Sequence, residues 1–159
     1  MAVGQLEWEQ HLANEIEGDR DLPETERQTI IMARRGQGKF KEAVMQFERK
    51  CRITGVDRIE HLRASHIRPW RDCDDHRQRL DGRNGLLLTP SIDHLFDRGF
   101  ISFENSGELL ISPVAHQDSL RRMGIATDRV IRVGGFNSDQ LHYLDYHRDR
   151  VFLKARLNL

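Results

Sequence analysis

Two aspartates stand four residues apart in the stretch 89-TPSIDHLFDRG-99, with a histidine between them. The opening Thr-Pro suits the start of a helix and the final glycine suits its end, which predicts a helix of about nine residues. Positions i and i+4 share a helix face, so Asp93 and Asp97 would project together. Like charges at this spacing repel by roughly 0.2–0.5 kcal/mol. A hard divalent cation such as Mg²⁺ or Mn²⁺ would relieve that repulsion, because it prefers carboxylate oxygens.

A simpler interpretation needs no metal. Asp93 could complement the positive end of the helix, and Asp97 could pair with Arg98 or another surface base. His66 and Asn84 are relevant to this choice. His66 could equally be a hydrogen-bonded core histidine, and Asn84 could simply be the turn residue of an Arg-Asn-Gly sequence.

These residues fall on a recognisable order of predicted elements. Residues 59–67 alternate well enough to predict a strand, 68–83 form a long polar segment without periodicity, and 85–89 form a buried strand that leads into the helix. Loops as long as 68–83 are usually functional or disordered. Everything chemically suggestive therefore lies in a strand, loop, strand and helix unit at about 59–99.

Four short motifs lie in or just before this region: 51-CRITG-55, 64-ASHIRPW-70, 84-NGLLL-88 and 95-LFDRG-99. In this order they resemble the HNH endonuclease family, which has a ββα-metal fold, and within it a restriction or defence subgroup. The flanks 35-RGQGKF-40 and 144-LDYHRDRVF-152 are also similar to that subgroup. Each motif alone is weak, and the four together in this order are specific.

The resemblance implies an α+β fold, with a ββα-metal core at about 59–99, added N- and C-terminal helices and a β-hairpin. It implies a metal-dependent DNA endonuclease that hydrolyses phosphodiester bonds. His66 matches the general base, and Asn84 matches the asparagine that orients the histidine-bearing loop. Asp93 and Asp97 match the two helix positions that bind the metal, which we expect to be Mg²⁺ or Mn²⁺.

Three departures from the family pattern leave alternatives open. Ser65 stands where a further metal ligand often lies, and it is a poor ligand. Asp93 stands where the family usually has histidine, so either Asp93 and Asp97 bind the ion, or His94 binds it with Asp93 supporting it. Paired zinc-binding cysteines are missing.

Residues outside the motifs could compensate for these departures. An aspartate of the long loop could supply another oxygen to the metal: Asp72, Asp74 or Asp75. Zinc remains an alternative metal, bound by Cys51 and Cys73 with His61 or His76. Without zinc, we expect an apolar core to hold the fold, formed by Phe40, Phe47, Leu87, Phe96 and Phe100.

The charge distribution favours a polyanionic partner, and we expect double-stranded DNA. Of the 25 acidic residues, eight lie at or before Glu26 against Arg20 alone, so the remaining chain has a surplus of seven basic residues although the net charge is zero. Four arginines flank the predicted site and are candidate phosphate contacts: Arg68, Arg71, Arg83 and Arg98.

Composition narrows the class of protein. Two cysteines cannot build a disulfide framework, and no apolar run approaches the roughly 20 residues that span a bilayer, so we expect a cytoplasmic protein with no membrane partner. A homodimer would suit double-strand cleavage. The rival hypotheses are a catalytically weak nucleic-acid-binding module of the same fold, which Ser65 favours, and an RNase or toxin nuclease.

The predicted organisation is an acidic helical leader at 1–32 and a nuclease domain at 33–159. Further elements are expected outside the central unit: a helix at 40–50, a short strand and turn at 51–55, a hairpin at 100–112, helical patches around 117–123 and 138–149, and a β-like stretch at 129–133.

Overall fold

The computed structural model describes residues 37–155, in which two small antiparallel sheets are surrounded by short helices. Helix α1 is described over 37–44. The later elements are β1 Arg63–His66, α2 His76–Leu80, β2 Gly85–Leu88, α3 Pro90–Asp97, β3 Ile101–Phe103, β4 Leu109–Ile111, α4 Gln117–Arg122 and α5 Ser138–Tyr146, followed by a π-helical turn at His147–Val151. This mixture agrees with the predicted α+β class. The predicted leader, 1–32, lies outside the described residues.

Strands β1 and β2 pair antiparallel, so the two ends of the long polar segment at 68–83 lie side by side. The register opposes Arg63 to Leu88 and His66 to Gly85. Every residue of β2 is buried, as its uninterrupted Gly-Leu-Leu-Leu sequence predicts. Helix α3 follows at once and packs on both strands. His66 is therefore placed at the end of β1, where the chain leaves the sheet.

Helix α3 forms because its sequence has a start signal, an apolar face and a stop signal. Thr89 is extended before Pro90, which occupies the first turn, where a missing N–H costs nothing. Three apolar side chains are buried on one face: Ile92, Leu95 and Phe96. Gly99 then adopts a φ of +79°, a left-handed conformation that ends the helix. The predicted helix is confirmed.

The second sheet is the predicted hairpin, with Ile101 paired to Ile111 and Phe103 to Leu109. The β-like stretch at 129–133 lies along it through a single bridge between Glu108 and Arg132. Helices α4 and α5 confirm the two predicted helical patches. Asn137 and Gln140 cap α5 reciprocally, each side chain accepting the other's backbone N–H.

Four local predictions need correction. The strand predicted at 59–67 is shorter, because a 3₁₀ turn at Ile59–His61 precedes β1. Residues 51–55 are a turn without a strand, and α1 ends at 44 rather than near 50. The long segment is not irregular, since its side chains cap short helical turns, including α2. Because polar side chains cap these short turns, the sequence of 68–83 shows no hydrophobic periodicity.

The core combines α1, the first sheet and α3. Phe40, Leu87 and Phe96 are fully buried there, as predicted. Phe47 is 40% exposed and Phe100 is half-buried, so these two do not belong to the centre of the core. Gly85 is required where α1 crosses the sheet, because a Cβ there would lie 2.4 Å from a Val44 methyl carbon. No helix within 37–155 is long and apolar enough to cross a membrane.

Candidate active site

His66 is held in one orientation at the end of β1. Its Nε2 lies 2.8 Å from the carbonyl oxygen of Arg79. A carbonyl only accepts hydrogen bonds, so Nε2 carries the proton and Nδ1 is the basic nitrogen. Phe40 stacks on the ring with centroids 3.6 Å apart, and Trp70 meets it edge-on at 5.8 Å.

The surroundings of His66 favour its neutral form. Burial lowers the pKa of the imidazole below 6.5, and this outweighs the Arg79 carbonyl and the negative charge of Asp97, which both favour the protonated ring. His66 is therefore unprotonated at neutral pH and can accept a proton. The influence of Asp97 also places that carboxylate within electrostatic reach of the histidine.

Asn84 is fully buried and fastens the chain that follows His66. Its Oδ1 accepts the backbone N–H of Arg68 at 2.8 Å, and its Nδ2 donates to the Arg68 carbonyl at 3.2 Å. The same Nδ2 also lies 3.2 Å from the carbonyl of Gln78. One side chain thus joins both ends of the long segment and holds it against β2. This geometry suits the predicted orienting role.

Asp93 and Asp97 are brought together on α3, with Ser65 beside them. Burial and the charge of Asp97 both raise the pKa of Asp93. A hydrogen bond with the Ser65 side chain opposes that rise, as does Arg63, whose guanidinium lies 3.9 Å away. Ser65 is itself buried. In this structure Ser65 orients a carboxylate, while its direct metal ligation stays a prediction.

The donor set fits a Mg²⁺-type ion rather than a closed zinc site. Within 37–155, no three or more His, Cys, Asp or Glu side chains form a group that could hold a metal. Mg²⁺ needs only one or two carboxylates, since water and substrate phosphate complete its shell. Asp93 and Asp97 supply this number, and the raised pKa of Asp93 shows that Ser65 and Arg63 do not fully offset its burial and the charge of Asp97. These two residues would hold the ion.

The alternative ligands are placed differently. His94 is exposed, with its ring 6.4 Å from that of Phe100. The three loop aspartates serve the loop itself: Asp72 hydrogen bonds Tyr146, Asp74 lies 3.2 Å from Arg68, and Asp75 caps α2. None joins the two helix carboxylates in a group of three.

Within residues 37–155, the structure does not bring the side chains of the zinc alternative together. Cys51 and Cys73 are both free and buried, and neither belongs to a group of three metal-binding side chains within the described residues. Cys51 lies 3.9 Å from the Thr89 hydroxyl, whereas Cys73 contacts the carbonyls of Arg68 and Pro69. Each thiol therefore packs in its own turn.

The four predicted phosphate contacts fall into two pairs. Arg68 and Arg83 are engaged within the protein. The Arg68 guanidinium covers the Tyr146 ring at 4.3 Å, and that of Arg83 covers Phe47 at 4.5 Å and lies 3.3 Å from Asp139. Arg71 and Arg98 are exposed, as is Arg83, and the Arg71 guanidinium lies 3.9 Å from Asp72. Arg68 is therefore the least accessible of the four to a phosphate.

Sequence reasoning missed several supports of this site. Phe40 was expected only in the core, and no sequence signal connects it to His66. The Arg79 backbone carbonyl carries no residue-type signal. Tyr146, which lies under Arg68, falls in the 144–152 flank, whose similarity was the one available hint.

Comparison with known proteins supports the family for the central segment. Residues 51–104, about one third of the chain, match the family model described as HNH endonuclease. No curated protein matches this chain. The matched segment contains β1, the long loop, β2, α3 and β3, and it excludes α1 and α5.

Proposed function

We propose that this protein is a metal-dependent DNA endonuclease that hydrolyses phosphodiester bonds. The observation that carries the proposal is the state of His66: its proton is held on Nε2 by the Arg79 carbonyl, and its basic nitrogen remains available within reach of the Asp97 charge. The family match over 51–104 supports nuclease activity in general.

In the proposed reaction, Nδ1 of His66 takes a proton from a water molecule as that water attacks the scissile phosphorus. The bond from phosphorus to the 3′ oxygen breaks, and the 3′ oxygen takes a proton from solvent. A divalent ion, when bound, would stabilise the negative charge of the phosphate and the leaving oxygen. Asn84 holds the loop after His66, which keeps the imidazole in place during proton transfer.

Asp93 and Asp97 would hold the ion, with Ser65 orienting Asp93. His94 remains the alternative ligand, since it is exposed on the same helix. Mg²⁺ or Mn²⁺ fits these oxygen donors best.

Double-stranded DNA is the proposed substrate, because the basic surplus and the exposed arginines Arg71 and Arg98 suit a polyanion. The restriction or defence role comes from the subgroup resemblance and is part of the proposal. Dimerisation would let two active sites make one double-strand break.

Plasmid nicking tests the proposal. The full chain should nick supercoiled plasmid with Mg²⁺ or Mn²⁺ and stop with a chelator, and His66→Ala should remove the activity. Activity that survives this substitution would refute the base assignment. Competition between double-stranded DNA and RNA at equal phosphate concentration separates a DNase from an RNase.

One observation favours a second candidate, a catalytically weak nucleic-acid-binding module of the same fold. Only two helix carboxylates stand at the predicted metal position, and Ser65 replaces a further ligand. Salt-dependent DNA binding without cleavage in any divalent metal would support this candidate over the enzyme.

A further inference from the structure

The C-terminal end of α3 is seated tightly against the segment that follows α5. The carbonyl of Gly99 accepts the backbone N–H of Leu153 at 2.9 Å. A Cβ added to Gly99 would lie 2.1 Å from the carbonyl oxygen of Val151. Glycine is therefore needed here both for its positive φ and for this close approach.

His147 makes two hydrogen bonds where these segments meet. Its Nε2 lies 2.8 Å from the Phe96 carbonyl oxygen, and its Nδ1 lies 2.7 Å from the Ser102 hydroxyl. Because the carbonyl only accepts, Nε2 donates to it and Nδ1 accepts from Ser102. The ring also stacks on Phe96, with centroids 3.9 Å apart, and is 1% exposed. Burial and both partners thus impose one tautomer and one orientation.

These contacts fix the helix next to a predicted metal ligand. Phe96 directly precedes Asp97, so the hydrogen bond from His147, together with that from the Gly99 N–H, holds the backbone that bears this carboxylate. Asp93, one turn earlier, has its own support in Ser65. A shared cation requires both carboxylates at a fixed separation, and mutation of groups that hydrogen bond to a metal ligand typically changes metal affinity 10–100-fold.

We propose that His147 is a positioning residue for the metal site, holding Asp97 in register with Asp93 through the Phe96 carbonyl. This inference rests on the proposed function. It assigns a role in the reaction to a residue outside the segment that matches the family model.

A matched pair of amide substitutions tests the role in the full chain. His147→Gln places an amide at the level of Nε2 and can still donate to Phe96. His147→Asn places it at the level of Nδ1 and reaches only Ser102. With Mn²⁺ as the probe, measured by EPR of the free ion, we expect the Asn variant to bind at least tenfold more weakly and the Gln variant to stay within threefold of the original protein.

Tyr143→Phe is the control for general loss of stability. The Tyr143 hydroxyl donates to Asp81 at 2.9 Å, so this change removes a hydrogen bond of α5 that does not involve α3. We expect a lower melting temperature with Mn²⁺ affinity within threefold of the original. The positioning role is overturned if the Asn variant binds Mn²⁺ normally, if Gln and Asn weaken binding equally, or if the control weakens it as much.

If the Asn variant does not fold, judged by circular dichroism, Ser102→Ala decides the question. It removes only the partner of Nδ1 and should weaken Mn²⁺ binding at least threefold in a folded protein, whereas unchanged affinity refutes the role. An original protein that neither binds Mn²⁺ nor nicks plasmid refutes the proposed function itself. One that does both, with normal variants, refutes only the positioning role.

Discussion

The two sides of the candidate site are built in opposite ways. On the histidine side, His66 and Asn84 are fastened by the loop between them, through partners 6 to 16 residues away. On the carboxylate side, the end of α3 depends on His147, 51 residues from Phe96. A local arrangement thus holds the proposed base, and a distant segment holds the end of the helix that carries the proposed metal ligands.

The two sides also differ in what burial does to their charge. Burial keeps His66 neutral, which suits a base. The same effect penalises the charge of Asp93, and Asp97 adds to the penalty. Neutral His66 can therefore accept a proton as it stands, whereas a cation beside Asp93 would offset the cost of its charge.

Removal of the base should have the largest effect. Replacing His66 with alanine removes the proton acceptor, and general-base catalysis typically contributes about 10²–10⁴-fold to the rate. We expect a loss in this range in single-turnover DNA cleavage with saturating Mg²⁺. His61→Ala, an exposed histidine upstream, is the matched control and should cleave normally. Equal losses in both variants would contradict the assignment.

Asn84→Ala should destabilise the loop that follows His66. Its amide is fully buried, so the substitution removes its three hydrogen bonds to Arg68 and Gln78, including the one accepted from the Arg68 N–H. We expect a loss of about 3 kcal/mol in the free energy of unfolding, measured with urea. A loss below about 1 kcal/mol would show that the loop is held by other contacts.

His147, which holds the end of α3, should make the free energy of unfolding depend on pH. Burial lowers the pKa of His147 from 6.5 to about 4. As the pH falls below 6.5 the unfolded chain takes up a proton before the folded protein does, so stability falls from about pH 6.5 to about pH 4. Glutamine does not titrate. Between pH 6.5 and 5 the original protein should lose about 1.5 kcal/mol more than His147→Gln.

Urea unfolding at several pH values gives this difference directly. His66 has a lowered pKa too, but it is present in both proteins and its contribution cancels. Parallel stability curves for the two proteins would mean that His147 is not buried in its neutral form.

The same contrast explains what sequence could predict. The helix at 90–97 and the strand at 85–88 were predictable, because their start signals and apolar runs are local. Helical spacing predicted that Asp93 and Asp97 share a face, whereas their metal role came from the family resemblance. The loop between His66 and Asn84 was not predictable as a structure, since polar side chains cap its short turns without any hydrophobic period.

Contacts between distant segments were beyond sequence reasoning. Nothing in the residue types connects Phe40 to the face of His66, or His147 to the Phe96 carbonyl. The expectation that Phe47 belongs to the core was wrong, because α1 ends at 44 and the side chain turns toward Arg83.

Asp93→Asn should have the smallest effect on the metal-free protein, and it should be stabilising. A raised carboxyl pKa means that the folded state loses stability as the pH rises through that pKa, so the charged Asp93 is unfavourable at pH 7. Asparagine removes the repulsion with Asp97, worth roughly 0.2–0.5 kcal/mol, and can keep a hydrogen bond with Ser65. The variant should melt slightly higher without metal.

Added Mg²⁺ should raise the melting temperature of the original protein and leave that of the Asp93→Asn variant unchanged. Asp75→Asn changes a carboxylate that caps α2, so it should leave the Mg²⁺ response intact. An Asp93→Asn variant that Mg²⁺ still stabilises would move the ion to other ligands, and His94 would become the first to test.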